Sequence, residues 1–202
     1  VREESMYFMP QAMTKIMNEG WASFWHYKIM SELDLPQEFH LSFLKFHNQV
    51  LRPMVGRINP YHLGFTIFMW IEKNMGLEEC FIARSSHNDE SFIRTYLNKE
   101  ICEELNLFSY SKKKKEWTID DISDENGWKQ IREDLIKNVG LNSLPNIYID
   151  EMQKDHTLVL KHEHDGRDLD LDYAHNVCDH ILDLWGDDFK FFTIIEDEPF
   201  EI

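Results

Sequence analysis

Two residues near the start of the chain, Glu19 and His26, carry side chains suited to acid–base or metal chemistry. They lie seven positions apart in a segment with helical apolar spacing, so one face of the helix presents both. Burying such groups costs several kcal/mol unless a partner or a cation satisfies them. The pattern predicts either a catalytic site or a buried polar network that holds the helix to its neighbours. The full polar stripe contains Gln11, Lys15, Asn18, Glu19, Ser23 and His26.

A second candidate site is the pair His162 and His164, near the end of a predicted strand. Residues two apart on a strand point to the same face, so both imidazoles could bind one cation. An acidic, glycine-containing turn follows the pair, which is also typical of ordinary polar surface. Asp168 or Asp170 has a simpler role there as the cap of the last helix. The residues leave metal binding and plain surface polarity both open.

The sequence lacks most familiar catalytic signatures. It contains no G-x-x-x-x-G-K, G-x-G-x-x-G or G-x-S-x-G motif, and neither C-x-x-C nor H-E-x-x-H. With eight glycines in 202 residues, few loops could bring backbone amides close to a phosphate. These observations argue against a nucleotide-dependent enzyme contained within these residues.

Composition narrows the class of protein further. A net charge of −16 opposes binding to nucleic-acid phosphates. The longest apolar runs fall short of the roughly 20 residues that a membrane-spanning helix needs, so we expect a cytoplasmic protein. Cys80, Cys102 and Cys178 are odd in number and lie in helical patterns, which predicts buried thiols in a reducing compartment rather than disulfides.

The periodicity of apolar residues predicts an α+β fold. Residues 1–106 form a helical region, with Pro10 at a first turn or a kink and Asn59-Pro60 opening a later helix. Residues 107–202 alternate between strand and helix patterns in the order ββ-α-ββ-α-β. We expect this second region to form an antiparallel sheet carrying two helices, at 127–139 and 170–185, with the helical region packed on it.

Several segments resemble one known protein family. The segment 17–27, M-N-E-G-W-A-S-F-W-H-Y, is similar to the signature of the stage V sporulation protein R (SpoVR)-like family, and 59–65 matches its N-P-Y-x-L-G-F element. The first motif is long and unusual in composition, so a chance match is improbable. Further matching segments are Asp89 to Ile93, Tyr96-Leu97, Phe108-Ser109, Pro145 to Ile147, the strand end at His162, and Leu184 to Gly186.

The resemblance implies a biological process and partners. Family members are longer, and the matching region is their C-terminal portion, in keeping with an interior start at Val1. Membership implies a role in spore cortex formation, a peptidoglycan process, in a Bacillus-like bacterium. It also implies two partners, the missing N-terminal part and a serine protein kinase encoded alongside the family. We expect an exposed apolar face on the first helix of such a fragment.

The segment that begins at Glu19-Gly20-Trp21-Ala22 also resembles a helix of some zinc peptidases, in which the glutamate is the third metal ligand. The resemblance implies that Glu19 would join a histidine pair from the missing N-terminal part, so the fragment alone should hold no zinc. His26 has no settled role in it. Two functional classes therefore stay open: a non-catalytic or regulatory cortex factor, and a zinc-peptidase-like metallohydrolase completed outside these residues.

Overall fold

The computed structural model describes residues 2–54, 58–107, 111–113, 116–118 and 127–202, which fold into two compact units. The first unit is Val1–Ser143 and the second is Leu144–Ile202. In its described residues the first is helical apart from one short strand pair, and the second is built on a four-stranded sheet. The predicted α+β class is confirmed.

The first unit contains eight helices among its described residues. Asn59 opens the fourth helix as predicted, because its side-chain oxygen accepts a hydrogen bond from the backbone N–H of Tyr61 at 3.0 Å. The helices are α1 Arg2–Ala12, α2 Lys15–Glu32, α3 Gln37–Val50, α4 Pro60–Met75, α5 Leu77–Ser86, α6 Asp89–Tyr96, α7 Lys99–Glu104 and α8 Gly127–Lys137, and a 3-10 turn follows at Gly140–Ser143.

The segment around Pro10 contains a break rather than one kinked helix. Pro10 lies inside α1, which ends at Ala12, and α2 begins three residues later. The hydroxyl of Thr14 donates to the carbonyl oxygen of Pro10 at 2.7 Å, so it satisfies one of the last acceptors of α1. The two helices are therefore separate elements.

The core of the first unit lies where α2 packs on α4. Its largest fully buried side chains include Met17 and Phe24 from α2 and Phe68 from α4. Helix α8 joins this unit, since Ile136 is buried in the same core and Arg94 of α6 forms an ion pair with Glu133 at 3.2 Å. For this reason the boundary between the two compact units follows Ser143. The boundary predicted from the sequence, near residue 106, marks the change from helical to alternating residue patterns.

The strand pair β1 Ser111–Lys113 and β2 Glu116–Thr118 is antiparallel, as expected for the predicted hairpin. It forms its own two-stranded sheet instead of joining the larger one. The alternating residues Phe108, Tyr110 and Ile119 and the turn at Lys114 and Lys115 lie outside the described residues.

The second unit contains a mixed sheet with the order β3-β4-β5-β6. The predicted antiparallel sheet is wrong at one pair, because β4 and β5 run parallel. Helix α9 lies between them in the chain and provides the crossover that parallel neighbours require. A fourth strand, β6, also follows the last predicted one. The elements are β3 Ile147–Met152, β4 Leu158–His162, α9 Leu171–Trp185, β5 Phe189–Ile195 and β6 Glu198–Glu201.

Candidate functional site

The two signature segments meet where α2 crosses α4, and one glycine from each helix forms the contact. A Cβ atom added at Gly64 would lie 2.7 Å from the Cα of Gly20. A Cβ added at Gly20 would lie 2.9 Å from the carbonyl oxygen of Gly64. Both distances are too short for a real side chain, so the approach requires glycine in both helices. This contact places Glu19 beside the first turn of α4.

Glu19 is half-buried, and its carboxylate interacts with the hydroxyl of Tyr61. The interaction favours the neutral hydroxyl and therefore raises the pKa of Tyr61. Asn59 holds the start of α4 in place, because its side-chain amide donates to the carbonyl oxygens of Val50 at 2.7 Å and Arg52 at 2.9 Å. The sequence identified Glu19, but not Tyr61 as its partner.

His26 lies on the same helix as Glu19 but is exposed. Seven residues of helix separate them by about 10 Å along the axis, and a catalytic role for the two side chains stays a prediction. The ring of His26 meets the edge of Phe43 of α3, with 5.2 Å between ring centroids, and lies 6.4 Å from the ring of His47. The structure thus pairs His26 with a second histidine that sequence reasoning missed. The four-residue spacing of Phe43 and His47 could have indicated that both rings lie on one face of the same helix.

Other members of the polar stripe make contacts that hold α2 to its neighbours. The guanidinium of Arg84 donates to the side-chain oxygen of Asn18 at 2.7 Å, which links α2 to α5. Asn18 in turn donates to the hydroxyl of Thr14 at 3.0 Å. Ser23 is buried, whereas Gln11 lies on α1 and is exposed. Much of the stripe is therefore a network within the helical unit.

Asp89, from the matching segment Asp89 to Ile93, forms the most buried of these contacts. It is 1% exposed, and its two carboxylate oxygens accept hydrogen bonds from the backbone N–H groups of Ile16 and Met17, both at 2.9 Å. Burial raises the pKa of the Asp89 carboxyl, and these hydrogen bonds oppose that shift. The sequence did not indicate that Asp89 caps α2, because Asp89 lies in the first turn of its own helix and the N–H groups that it binds are more than seventy residues away.

His162 and His164 lie close together in the second unit, with 5.9 Å between ring centroids. His162 is 5% exposed, and its Nδ1 forms a hydrogen bond with the hydroxyl of Thr193 at 2.9 Å. His164 forms a hydrogen bond with Asp168 at 3.1 Å through Nε2. Burial lowers the pKa of His162, and the neighbouring His164 adds to the shift. Each ring thus has a protein partner on one nitrogen, and metal binding by this pair stays a prediction.

A cavity of about 520 Å³ opens beside the first turn of α4. Its described lining is mainly apolar, and His62 and Asp134 are among its polar members. Burial lowers the pKa of His62, which favours the neutral ring. The remaining described lining is Pro53, Met54, Ile58, Asn59, Leu63, Leu105, Asn106, Leu107, Ile131, Leu135 and Asn138.

The cysteines are buried, as predicted, and are free thiols. Burial raises the pKa of Cys80 to about 11 and that of Cys102 to about 12, so neither forms a thiolate readily. Within the described ranges no group of three or more His, Cys, Asp or Glu side chains is placed to hold a metal ion. Over the same residues, no helix is both long and apolar enough to cross a bilayer.

Comparison with known proteins identifies the family. A family model described as SpoVR like protein matches residues 1–144, and one described as SpoVR-like C-terminal domain matches residues 145–193. The protein described as Uncharacterized protein YcgB, from Escherichia coli (strain K12), is 32% identical over 236 residues. That match covers 100% of this chain and 46% of the relative, so the chain spans less than half of the relative's length. No solved structure matches. With both models together covering nearly all of its residues, the chain belongs to the SpoVR-like family.

Proposed function

We propose that this chain is a sporulation-related protein that takes part in spore cortex formation as a non-catalytic or regulatory factor. Family membership supports the process. The observation that carries the mechanism is the engagement of the signature segment in contacts within the helical unit. Asn18 contacts Arg84, Glu19 contacts Tyr61, and Gly20 contacts Gly64. Such contacts shape a surface for partners instead of presenting reactive groups to a substrate.

The exposed apolar side chains of the helical unit supply surface for those partners. Helix α1 buries none of its side chains, and Met6, Tyr7 and Phe8 are each more than half exposed. Patches of this kind are typical of interaction sites. We propose that the partners are the N-terminal part of the longer protein and a serine protein kinase, and that they meet in the cytoplasm. The net charge of −16 supports protein partners over nucleic acid.

One observation favours a metallohydrolase as the second candidate. Glu19 is half-buried, and the partner of its carboxylate is a neutral hydroxyl, which leaves the negative charge without compensation from that contact. In this alternative Glu19 would hold a zinc ion whose other ligands come from the N-terminal part. A bound zinc would supply Lewis-acid activation of water. Tyr61 would then orient the Glu19 carboxylate through the interaction of its hydroxyl with that group.

Metal content and cortex formation together separate the two candidates. Full-length protein carrying Glu19→Gln or His26→Ala would replace the host copy in a spore-forming bacterium, with Glu32→Gln at an exposed site of α2 as the matched control. We expect metal content equal to wild type in all three variants, and a cortex defect in the strain that lacks the protein. Loss of bound zinc in Glu19→Gln alone would establish the metallohydrolase instead. A normal cortex in the deletion strain would reject the cortex role.

A further inference from the structure

Helix α3 is attached to the rest of the helical unit through few side chains. Phe43 and His47 are the buried residues among its described positions, and they lie four residues apart on one face. Other large apolar side chains of the helix face solvent, including Phe39 at 59% and Phe46 at 65% exposure. The fully buried part of the α3 packing therefore consists of two rings, one of which can take up a proton.

The ring of His47 is enclosed by aromatic side chains. Tyr27 of α2 stacks on it at 5.2 Å between centroids, Phe65 of α4 meets it nearly edge-on at 5.1 Å, and Phe43 lies at 5.6 Å. The residue is 5% exposed, and its Nε2 has no hydrogen-bond partner among the described residues. A protonated ring would have to donate from both nitrogens, so this enclosure favours the neutral form.

The titratable neighbour nearest to His47 also favours the neutral form of its ring. His26 of α2 lies 6.4 Å away, and a second positive charge there repels an imidazolium at position 47. His40 of α3 lies behind Phe43, with 6.2 Å between the centroids of those two rings. Attraction between a cation and the three aromatic faces would oppose the repulsion. That attraction is smaller than the penalty for burying an imidazolium whose Nε2–H has no acceptor.

We propose that His47 is a proton-sensitive latch, which holds α3 on α2 and α4 while its ring is neutral and releases the helix when the ring is protonated. Release would expose Phe43 beside the already exposed Phe39 and Phe46, and so present a continuous aromatic stripe. Residues 39, 43 and 46 lie on one side of the helix. The inference does not depend on the sporulation role.

The direction of the pH effect follows from linkage. Burial, together with His26, lowers the pKa of His47 below its ordinary value of 6.5. The released state therefore binds the proton more readily than the packed state. The stabilisation is fully present above pH 6.5 and is lost as the pH falls from there towards the lowered pKa of the packed ring. Within that window, the equilibrium constant for opening of α3 rises by up to about tenfold per pH unit.

Hydrogen exchange of the full chain between pH 7.5 and 5.5 tests the latch, with each rate corrected for the pH dependence of the intrinsic chemistry. We expect the opening constant of the α3 amides to rise below pH 6.5, while that of the central α4 amides stays constant. His47→Phe keeps an aromatic ring without the titrating group and should abolish the rise. His40→Phe, on the same helix but outside the ring enclosure, should retain it.

Three results would overturn the proposal. They are a pH-independent opening of α3 in the wild type, an equal rise in α3 and α4, and an unchanged rise in His47→Phe. If His47→Phe does not fold, an NMR titration of the wild-type histidine rings decides the question. A His47 ring that titrates at or above 6.5 rejects the latch, and one that titrates below both 6.5 and the His40 ring supports it.

Discussion

Replacement of Gly64 by alanine tests the helix contact on which the signature segments depend. The added Cβ would lie 2.7 Å from the Cα of Gly20 and closer still to the carbonyl oxygen of Ile16. Both neighbours are backbone atoms of α2, which cannot move aside by changing a rotamer. The two helices must therefore separate locally, across a contact that includes the buried side chains of Met17 and Leu63.

Two effects of opposite sign determine the size of the change. Overpacking of a well-packed core costs about 1–3 kcal/mol and sometimes more, and clashes with backbone belong at the upper end. Replacing glycine by alanine inside a helix contributes about 1 kcal/mol of stabilisation in return. We expect Gly64→Ala to lower the free energy of unfolding by about 2 kcal/mol or more, and Gly20→Ala to behave alike.

Urea denaturation followed by tryptophan fluorescence measures this change, because Trp21 packs against the rings of Phe24 and Phe68 in the α2–α4 core. Ala22→Gly is the matched control, since Ala22 is an exposed residue of α2 and its replacement reports the helix propensity alone. The free energy of unfolding of Ala22→Gly should be about 1 kcal/mol lower than that of the wild type. A Gly64→Ala variant as stable as the wild type, or more stable, would show that the helices do not approach as closely as described.

Three further outcomes follow from the structure. Asp89→Ala should lower the free energy of unfolding by about 2–4 kcal/mol, because two buried backbone N–H groups lose their acceptors. Asp89→Asn should lower it by roughly half of that amount. Equal stability of the wild type and both variants in urea would contradict the role of Asp89 as the cap of α2. Cys80 and Cys102 should react with a thiol reagent at pH 8 much more slowly in folded than in urea-unfolded protein, since their raised pKa values keep them protonated. Equal reaction rates in the two states would show that both residues are accessible thiolates. Gly186 ends α9 at a φ of 77°, so Gly186→Ala should cost about 1 kcal/mol in thermal unfolding and Gly186→Asn distinctly less; indistinguishable midpoints would contradict the left-handed cap.

Elements whose signals are local could be predicted from the sequence. Asn59 and Pro60 open α4 and Gly186 closes α9, because each acts on backbone groups within a few residues. The helical spacing of apolar residues likewise predicts the helical region that contains α3. The same spacing did not reveal that so little of α3 is buried, since burial depends on which elements lie opposite.

Features that depend on distant partners could not be predicted. The start of α2 depends on Asp89, which lies on another helix and carries no mark of that use in the sequence. Strand neighbours are also a matter of chain path, so the pattern of strands did not show that β4 and β5 run parallel. At the candidate site, Glu19 was found from its place in a polar stripe, but its partner Tyr61 comes from a different helix.

The cap that Asp89 provides to α2 has a consequence for the order in which the chain folds. The first backbone N–H groups of α2 have their acceptors on α6, and Thr14 at the cap position makes no side-chain bond of its own to them. Before α6 packs against it, α2 would therefore fray at its first turn, because backbone N–H groups without acceptors do not stabilise the start of a helix. Contacts between residues so far apart in sequence form late and slow the search for the native state. We infer that the start of α2 becomes ordered together with α6, in the step that closes the loop between them.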